Sequence, residues 1–596
     1  MQQRLDPLGD LRRTHFCGEV RASDVGREVV LCGWVRKRRD HGGVIFVDLR
    51  DRTGIAQVVF KPDSEPVAHE RAQAIRSEFV LAVRGRLARR DDNVVNRDLP
   101  TGEVEIVAQE VRILNTATTP PFAIEDEVEI DEAVRLKYRI HDLRRPAMQR
   151  RLFVRHRLAQ SMRATCTERG MIEIETPILA RATPEGARDF LVPSRVHHGS
   201  FYALPQSPQI MKQMLMVAGF DGYFQIARCF RDEDQRADRQ LEFTQLDLEL
   251  SFVRMDEVLE LLEEITVRAF RDVLGVELAR PFPRVSYQDA MLRYGSDKPE
   301  RRITLELCEL SDVVAKTEFK VFAGALASGG VVRGLPVPDA DSLSRSELDR
   351  LNDLARSFGA KGLAWARIQP DGSWQSPIAK FLSDAEREAI GKRAGLRPGH
   401  VILFGADREK VVCDVLGRIR LELGAKLGRF DGRPWDPHFV IGFPLFEETD
   451  DGKLTYMHMP FVAPLEGEIE KLDSDPKSVI ATHYDLVLNG VELGSGSLRN
   501  HRSDLQLKIL AIMGYSEAEA RQRFGFMLDA LDTGAPPHGG FAFGFDRFAL
   551  MLAGGESLRD VLAFPKTQRA QDLFMESPTP VEPGQLKELG IKLRGD

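Results

Sequence analysis

Between residues 28 and 114 apolar side chains recur in short runs with strand-like alternation, and this pattern restricts the fold more than any other feature of the chain. The runs are 29–35 (Val29-Val30-Leu31-Cys32-Gly33-Trp34-Val35), 44–49, 55–60, 79–83 and 104–114, with turn-forming residues such as Arg52-Thr53-Gly54 between them. Several short strands at this spacing, each with one face to bury, predict a small closed β-barrel.

An OB-fold is the natural candidate for residues 1–115. A chain of 596 residues is too long for one core, so about three or four domains are expected. The stretch 116–140, which begins rich in Thr, Pro and acids, reads as a hinge. Val154, Leu158, Met162 and Cys166 then recur every four residues up to Gly170, which predicts an amphipathic helix with a glycine stop, and a strand over 171–175 ends at Pro177. Residues 294–428 show a helix-like stretch (344–357) and a strand-like one (360–367) but no concentration of chemical motifs. They read as an α+β insertion dividing a second domain into 141–293 and 429–566, with 567–596 as a C-terminal extension.

The composition excludes several classes. Net charge is -8, which disfavours a protein that coats nucleic acid indiscriminately and leaves room only for a local basic surface. The six cysteines are far apart, with no C-x-x-C or H-E-x-x-H, so neither a zinc site nor a disulfide framework is expected. No apolar run approaches the ~18 residues of a membrane span, and no leader is visible at Met1. A cytoplasmic protein without membrane partners is expected.

Two tetrapeptides carry the chemistry: Phe230-Arg231-Asp232-Glu233 and Gly544-Phe545-Asp546-Arg547. Activating a carboxylic acid with ATP brings two anions together, which requires fixed positive charge. Arg231 and Arg547 each offer a permanently charged planar fork that can grip phosphate or lie on a purine. Gly539, Gly540 and Gly544 would let backbone approach a ligand. Either tetrapeptide alone is more often a surface salt-bridge cluster or a glycine turn. There is no Gly-x-x-x-x-Gly-Lys-Ser/Thr, which argues against a P-loop enzyme.

Taken together, the helix-strand-proline segment ending at Pro177, Phe230 to Glu233 and Gly544 to Arg547 resemble motifs 1, 2 and 3 of the class II aminoacyl-tRNA synthetases. Longer stretches narrow the resemblance: Ala182-Thr183-Pro184-Glu185-Gly186-Ala187-Arg188-Asp189, Leu204-Pro205-Gln206-Ser207-Pro208-Gln209, Arg239 to Gln245 and Gly494-Ser495-Gly496-Ser497-Leu498-Arg499. These are similar to bacterial aspartyl-tRNA synthetases over essentially the full chain, and Gly359 to Ala364 looks like that family's inserted domain. The resemblance implies a multidomain α/β protein with a catalytic domain built on an antiparallel sheet. It also implies a ligase that uses ATP and Mg2+, and a homodimer joined through the motif 1 segment.

For L-aspartate the resemblance implies Glu185, Gln206, Ser207 and Gln209 as polar contacts, Gln206 and its neighbours lying around the α-amino group. Lys212 and Arg499 would hold the side-chain carboxylate, Arg231 would contribute, and His458 would close the pocket; the family often has a second histidine where Met459 stands. An unpaired buried guanidinium costs about 3–5 kcal/mol, so a site built on Arg499 should reject asparagine. For ATP the resemblance implies Arg231 on the α-phosphate, Asp232, Glu233 and Gln240 near the nucleotide, Phe243 on adenine, and Arg547 on the other adenine face and the γ-phosphate. Gly544, Phe545, Asp546 and Glu492 would complete that site, with Asp485 and Glu492 binding Mg2+. The two-residue period places Asp485 and Asn489 on one strand face.

Arg36-Lys37-Arg38-Arg39 lies near Phe46 and Gln57, and cations beside an exposed aromatic on an OB barrel suit splayed single-stranded bases. The resemblance aligns Arg39, Phe46 and Gln57 with anticodon-reading positions. His41 and Asn93 correspond to positions that separate enzymes restricted to aspartate tRNA from those that also charge asparagine tRNA. His41 points to the relaxed form and Asn93 does not oppose it. The alternatives are a discriminating aspartyl enzyme, an asparaginyl enzyme, which Lys212, Arg499 and the insertion disfavour, and a catalytically silent RNA-binding paralogue.

Overall fold

The computed structural model describes residues 5–182, 186–340, 342–449 and 451–594. The chain forms two compact units, one of residues 1–155, 234–240 and 553–581, the other of 156–233, 241–552 and 582–596.

In the first unit, β1 (Glu28–His41), β2 (Val44–Asp51), β3 (Gly54–Phe60), β4 (Val80–Arg89) and β5 (Val104–Asn115) close a barrel in the order β1-β2-β3-β5-β4. Only the β3–β5 pairing is parallel. Alternate residues Val29, Leu31, Ile45, Val47, Leu49, Val58, Phe60, Leu81 and Val83 fill the interior, which is the burial the sequence alternation encodes. The first strand is longer than its apolar run. It carries Arg36 to Arg39 on to His41, past a register shift between Val35 and Lys37, so the basic run is strand rather than loop. Residues 116–131 contain no helix or strand. Further on, Arg139 is 1% exposed and donates to the carbonyls of Arg559, Leu562 and Ala563. These bonds tie residues 553–581 into the barrel's unit, across the boundary expected at 566.

The second unit is built on an eight-stranded sheet. Its strands are β6 (Ile172–Glu173), β7 (Gly222–Phe230), β8 (Glu242–Ser251), β9 (Arg284–Ser286), β10 (Pro437–Ile441), β11 (His483–Leu488), β12 (Val491–Leu498) and β13 (His538–Gly544). They lie in the order β9-β10-β11-β12-β13-β8-β7-β6, antiparallel except at the two margins. The helix Met255–Leu274 buries Val258, Leu259, Leu262, Ile265 and Phe270 and stops at Gly275, whose φ of 69° only glycine adopts readily. The helix expected around residues 154–166 runs over Pro146–Glu168 and begins on a proline, which has no N–H to lose there. The strand expected at 171–175 shortens to Ile172–Glu173.

Residues 308–407 hold a second, five-stranded antiparallel sheet in the order Cys308–Glu309, Val331–Val337, Val401–Asp407, Ala364–Ile368, Trp374–Gln375. Val401 and Leu403 pack with helices Arg345–Ser357 and Glu409–Lys426, while Ile402 and Phe404 pack with Phe322 and Ile390 on the opposite face. Both faces are buried, which explains the continuous run Val401-Ile402-Leu403-Phe404 where a one-sided strand would alternate. Ser344 caps the first of these helices, its hydroxyl accepting from the Glu347 N–H at 3.3 Å.

Candidate active site

Four adjacent strands of the eight-stranded sheet (β7, β8, β13 and β12) support one polar centre. Asp247 and Glu249 sit two apart on β8 and so share a face. Lys212, on helix Gln209–Val217, is fully buried, with Nζ 3.0 Å from Asp247 Oδ1 and 3.4 Å from Glu249 Oε2. Arg499, just beyond β12 and 3% exposed, donates through Nε (2.9 Å) and Nη2 (3.2 Å) to the two oxygens of Glu249 and through Nη1 to Ser497 Oγ (2.7 Å). Burial works to raise the Glu249 pKa, and Arg499 and Lys212 more than offset it, holding the group below the usual carboxylate range. At Asp247 burial wins and the pKa is raised.

The sequence reading treated Lys212 and Arg499 as cations awaiting a substrate; in the folded chain both already have acidic partners. Asp247 and Glu249 escaped notice, although two acids alternating with Leu246, Leu248 and Leu250 in a buried strand are the available signal.

Gly539 and Gly540 also differ from expectation, because they accommodate protein rather than ligand. A Cβ on Gly540 would lie 2.0 Å from Glu249 Oε2, and one on Gly539 would lie 2.6 Å from Leu498 Cδ2. Gly544 is uncrowded by comparison. A Gly540→Ala variant is therefore expected to displace Glu249 and lower the melting temperature. Thermal denaturation tests this, and an unchanged Glu249–Arg499 pair in a crystal structure of the variant would refute it.

A cavity of about 270 Å³ opens over this quartet. It is lined by Gly186, Ala187, Ser207, Gln209, Lys212, Arg231, Glu233, Gln245, Asp247, His458, Met459, His483, Ser495, Gly496, Arg499 and Ala542. Sequence-expected residues from four separated segments (Ser207, Gln209 and Lys212; Arg231 and Glu233; His458; Arg499) thus meet in one place. Five polar atoms of the lining are buried without a hydrogen-bond partner among the described residues: Gln209 Nε2, Arg231 Nε, Asp247 Oδ2, His458 Nε2 and His483 Nδ1. Folded proteins leave few such atoms, so five around one cavity mark a place for a polar ligand.

Arg231 follows β7, and its guanidinium lies over the Phe243 ring at 5.0 Å. Arg547 donates through Nη1 to the Glu492 carbonyl at 2.6 Å. Its neighbours are buried: Phe545 is 2% exposed, and Asp546, also 2%, accepts from the Thr244 N–H at 2.8 Å. The side chains of Phe545 and Asp546 are thus packed into the protein. Gln206 is similarly occupied, because its amide accepts from Ala187 N and donates to Ala187 O and to Asp189 Oδ1. It holds the 187–189 segment, both Nε2 hydrogens are spent there, and Oε1 keeps a second lone pair. Asp232 receives Arg188 at 3.9 Å. Gln240 belongs to the first unit, where its Nε2 donates to the Arg239 carbonyl. Glu185 lies outside the described residues.

On the neighbouring hairpin burial raises the pKa of both Asp485 and Glu492; repulsion from Asp297 adds to it at Asp485, which lies well above the usual range, and repulsion from Asp485 adds to it at Glu492. Two such carboxylates favour a hard cation, and their oxygens fit Mg2+. Asn489 does not share their strand: β11 ends at Leu488, and Asn489 has φ of 52° in the turn, bonding to Pro434 O and Asp436 N. His458 and His483 stack with ring centroids 3.6 Å apart and an interplanar angle of 4°. Burial, and for His458 also its partner's repulsion, push both pKa values down to about 3. Among the described residues no group of three or more His, Cys, Asp or Glu is arranged to hold a metal ion, and no helix is long and apolar enough to cross a membrane.

On the barrel, Arg39 pairs in register with Phe46, and its Nη2 lies 2.6 Å from Asp48 Oδ1 and 3.3 Å from Gln57 Oε1. Gln57 donates onward to Glu105 at 3.0 Å. Arg39, Phe46 and Gln57 thus share one barrel face, and their acidic supports Asp48 and Glu105 were not legible in the sequence. His41 meets Phe46 edge-on at 6.0 Å, and Asn93 lies exposed in the turn Asp92–Val94.

Residues 131–568 match the model of the tRNA synthetases class II (D, K and N), and residues 29–114 match that of the OB-fold nucleic acid binding domain. The chain belongs to this class II synthetase family. It is 52% identical over 589 residues to the aspartate–tRNA(Asp/Asn) ligase of Syntrophotalea carbinolica, covering 99% of each chain. It is 53% identical over 589 residues to the enzyme of the same name from Moorella thermoacetica, covering 99% of this chain and 98% of that one. Among solved structures, asparaginyl-tRNA synthetase from Pyrococcus horikoshii bound to asparaginyl-adenylate superposes with a TM-score of 0.58 at 20% identity, over 93% of this chain and 98% of that one. The last likeness speaks to the fold alone.

Proposed function

We propose that this chain activates L-aspartate with ATP and transfers it to the 3' end of aspartate tRNA and of asparagine tRNA. The observation that carries this reading is the cavity in which the buried Lys212 and Arg499 stand beside Arg231, ringed by polar atoms that lack partners.

Arg499 receives the substrate's side-chain carboxylate through the Nη2 N–H not spent on Glu249, and Lys212, whose Nζ also donates to the Leu248 and Phe541 carbonyls at 3.4 Å, adds its charge beside it. Asparagine would leave those cations without the added anion. Arg231 holds the α-phosphate and the charge that grows on it as the aspartate α-carboxylate attacks phosphorus and the bond to the β-phosphate breaks. Aspartyl-adenylate and pyrophosphate result, and Arg547 holds the departing phosphates. The terminal 3'-hydroxyl of the tRNA then attacks the mixed anhydride, forming the ester and releasing AMP. Asp485 and Glu492 would hold Mg2+, which supplies positive charge to the polyphosphate when bound.

Arg39, Phe46 and Gln57 read the anticodon by stacking and hydrogen bonding, and His41 beside Phe46 relaxes that reading. The relatives named for both tRNAs support this. Residues 294–428 form a separate inserted domain within the catalytic one. Dimerisation through the segment around Pro177 is part of the same reading, supported by Ile178 and Leu179, which are 50% and 52% exposed. The protein works in the cytoplasm.

The test is to charge separate aspartate and asparagine tRNA transcripts with labelled aspartate. Both are expected to take up label. Label on the aspartate transcript alone would refute the relaxed specificity, and label on neither would refute the whole reading.

A further inference from the structure

A guanidinium has five N–H groups, and four of those on Arg499 are engaged within the protein. Nε and one Nη2 N–H donate to the two oxygens of Glu249. The Nη1 N–H groups go to Ser497 Oγ at 2.7 Å and to Met459 Sδ at 3.4 Å. The fifth, on Nη2, has no partner among the described residues. Three of the acceptors are oxygens; the fourth is a thioether, which accepts weakly. Their positions also differ. Glu249 and Ser497 are fully buried and lie outside the cavity lining, whereas Met459 is half-buried and belongs to it. The N–H held by sulfur is therefore the one on the cavity side.

A guanidinium grips a carboxylate best with two parallel N–H groups, one for each oxygen. The uncommitted Nη2 N–H serves one oxygen of the substrate's side chain. The other must come from Nη1, where one of two existing bonds has to break. The bond to Ser497 is short and ends on oxygen; the bond to Met459 is long and ends on sulfur, so it yields first. Methionine suits this task, because its unbranched chain turns about three bonds. Residues 457–461 contain no helix or strand, and Met459 packs against two apolar clusters, one with Phe461 and Phe524 and one with Leu445 and Leu505. A thioether that leaves the guanidinium keeps apolar neighbours.

We propose that Met459 is a positioning residue for aspartate: its thioether holds an Nη1 N–H of Arg499 until the side-chain carboxylate of the substrate takes that N–H over. This rests on aspartate being the amino acid activated. The number of hydrogen bonds is conserved, since the N–H leaves sulfur as it reaches carboxylate oxygen. A buried donor without an acceptor is costly; the sulfur covers that donor and competes with the substrate only weakly.

Two measurements test this. In a crystal structure with aspartate bound, Met459 Sδ is expected to have left Nη1, with a substrate carboxylate oxygen about 3 Å from that nitrogen. Sulfur still bonded to Nη1 beside bound aspartate would overturn the proposal. The second measurement uses Met459→Leu, which removes the acceptor and nearly conserves volume. In aspartate-dependent ATP–pyrophosphate exchange the variant's KM for aspartate is expected to fall about threefold, the scale of one weak hydrogen bond no longer broken on binding. Its KM for ATP should match the parent's. A purely structural role for Met459 would move the aspartate KM upward, so the direction separates the two. An aspartate KM equal to or above the parent's, or a parallel fall in the KM for ATP, would overturn the proposal. Absence of aspartate-dependent exchange in the unaltered protein would instead overturn the substrate reading, and this inference with it.

Discussion

Replacing Arg499 by methionine is expected to abolish aspartate-dependent pyrophosphate exchange and to lower the unfolding free energy by about 3–5 kcal/mol, the cost of stranding a buried carboxylate. Arg499 supplies both oxygens of Glu249 with a donor, and both side chains are buried. Removing the guanidinium leaves Glu249 with Lys212 at 3.4 Å, and Lys212 is already closer to Asp247. The double variant Glu249→Met/Arg499→Met separates the two effects. It deletes both charges of one pair and leaves Lys212 with Asp247, so stability should return to within about 1–2 kcal/mol of the parent, since apolar replacement of a whole buried pair is often neutral. Activity should not return, because the cation that receives the substrate carboxylate is gone. Denaturant unfolding gives the stabilities. Exchange activity persisting in the single variant, or a double variant no more stable than the single one, would contradict this account.

Replacing Arg231 by alanine is expected to do the reverse, lowering turnover in the exchange reaction by about 10²–10³-fold, the scale for losing one preorganised donor at a developing oxyanion. The effect on stability should stay near the ±0.5 kcal/mol of an ordinary surface substitution. Arg231 is half-buried, and its guanidinium rests on the face of Phe243. What the side chain contributes is a charge held in readiness, and its Nε has no hydrogen-bond partner among the described residues. An alanine variant that exchanges pyrophosphate at the parental rate would remove Arg231 from the chemistry. A variant that loses several kcal/mol would show that the residue holds the fold instead.

The two predictions differ because burial differs, and burial was what the sequence could not display. Arg499 and Arg231 look alike as letters, and the surrounding motif says only that each belongs near an anion. That Lys212 is fully buried likewise emerges only when helix Gln209–Val217 is laid on β8. His483 was missed for the same reason: it begins the strand His483–Leu488, and its stacking depends on His458, 25 residues upstream, arriving on top of it.

Local pattern was sufficient where the determinant is local. The barrel followed from alternation, because each strand's inward face is a matter of consecutive residues. The helix-like stretch at 344–357 became helix Arg345–Ser357, and the paired arginine tetrapeptides marked a site for anions because each motif is contiguous. Strand ends were less legible: β1 runs on through four basic residues, since pairing with β2 sets its length.

By itself, then, the sequence determined the closed barrel, the basic and aromatic residues on it, and the family to which the catalytic residues belong. Only the tertiary structure decided that Lys212 and Arg499 are already paired with Asp247 and Glu249, that Gln206, Phe545 and Asp546 are buried, and that His483 lines the cavity. The physical reason is that partners 35 or 250 residues apart, as in Lys212–Asp247 and Arg499–Glu249, are set by how strands order themselves in the sheet. No period or motif along the chain encodes that order.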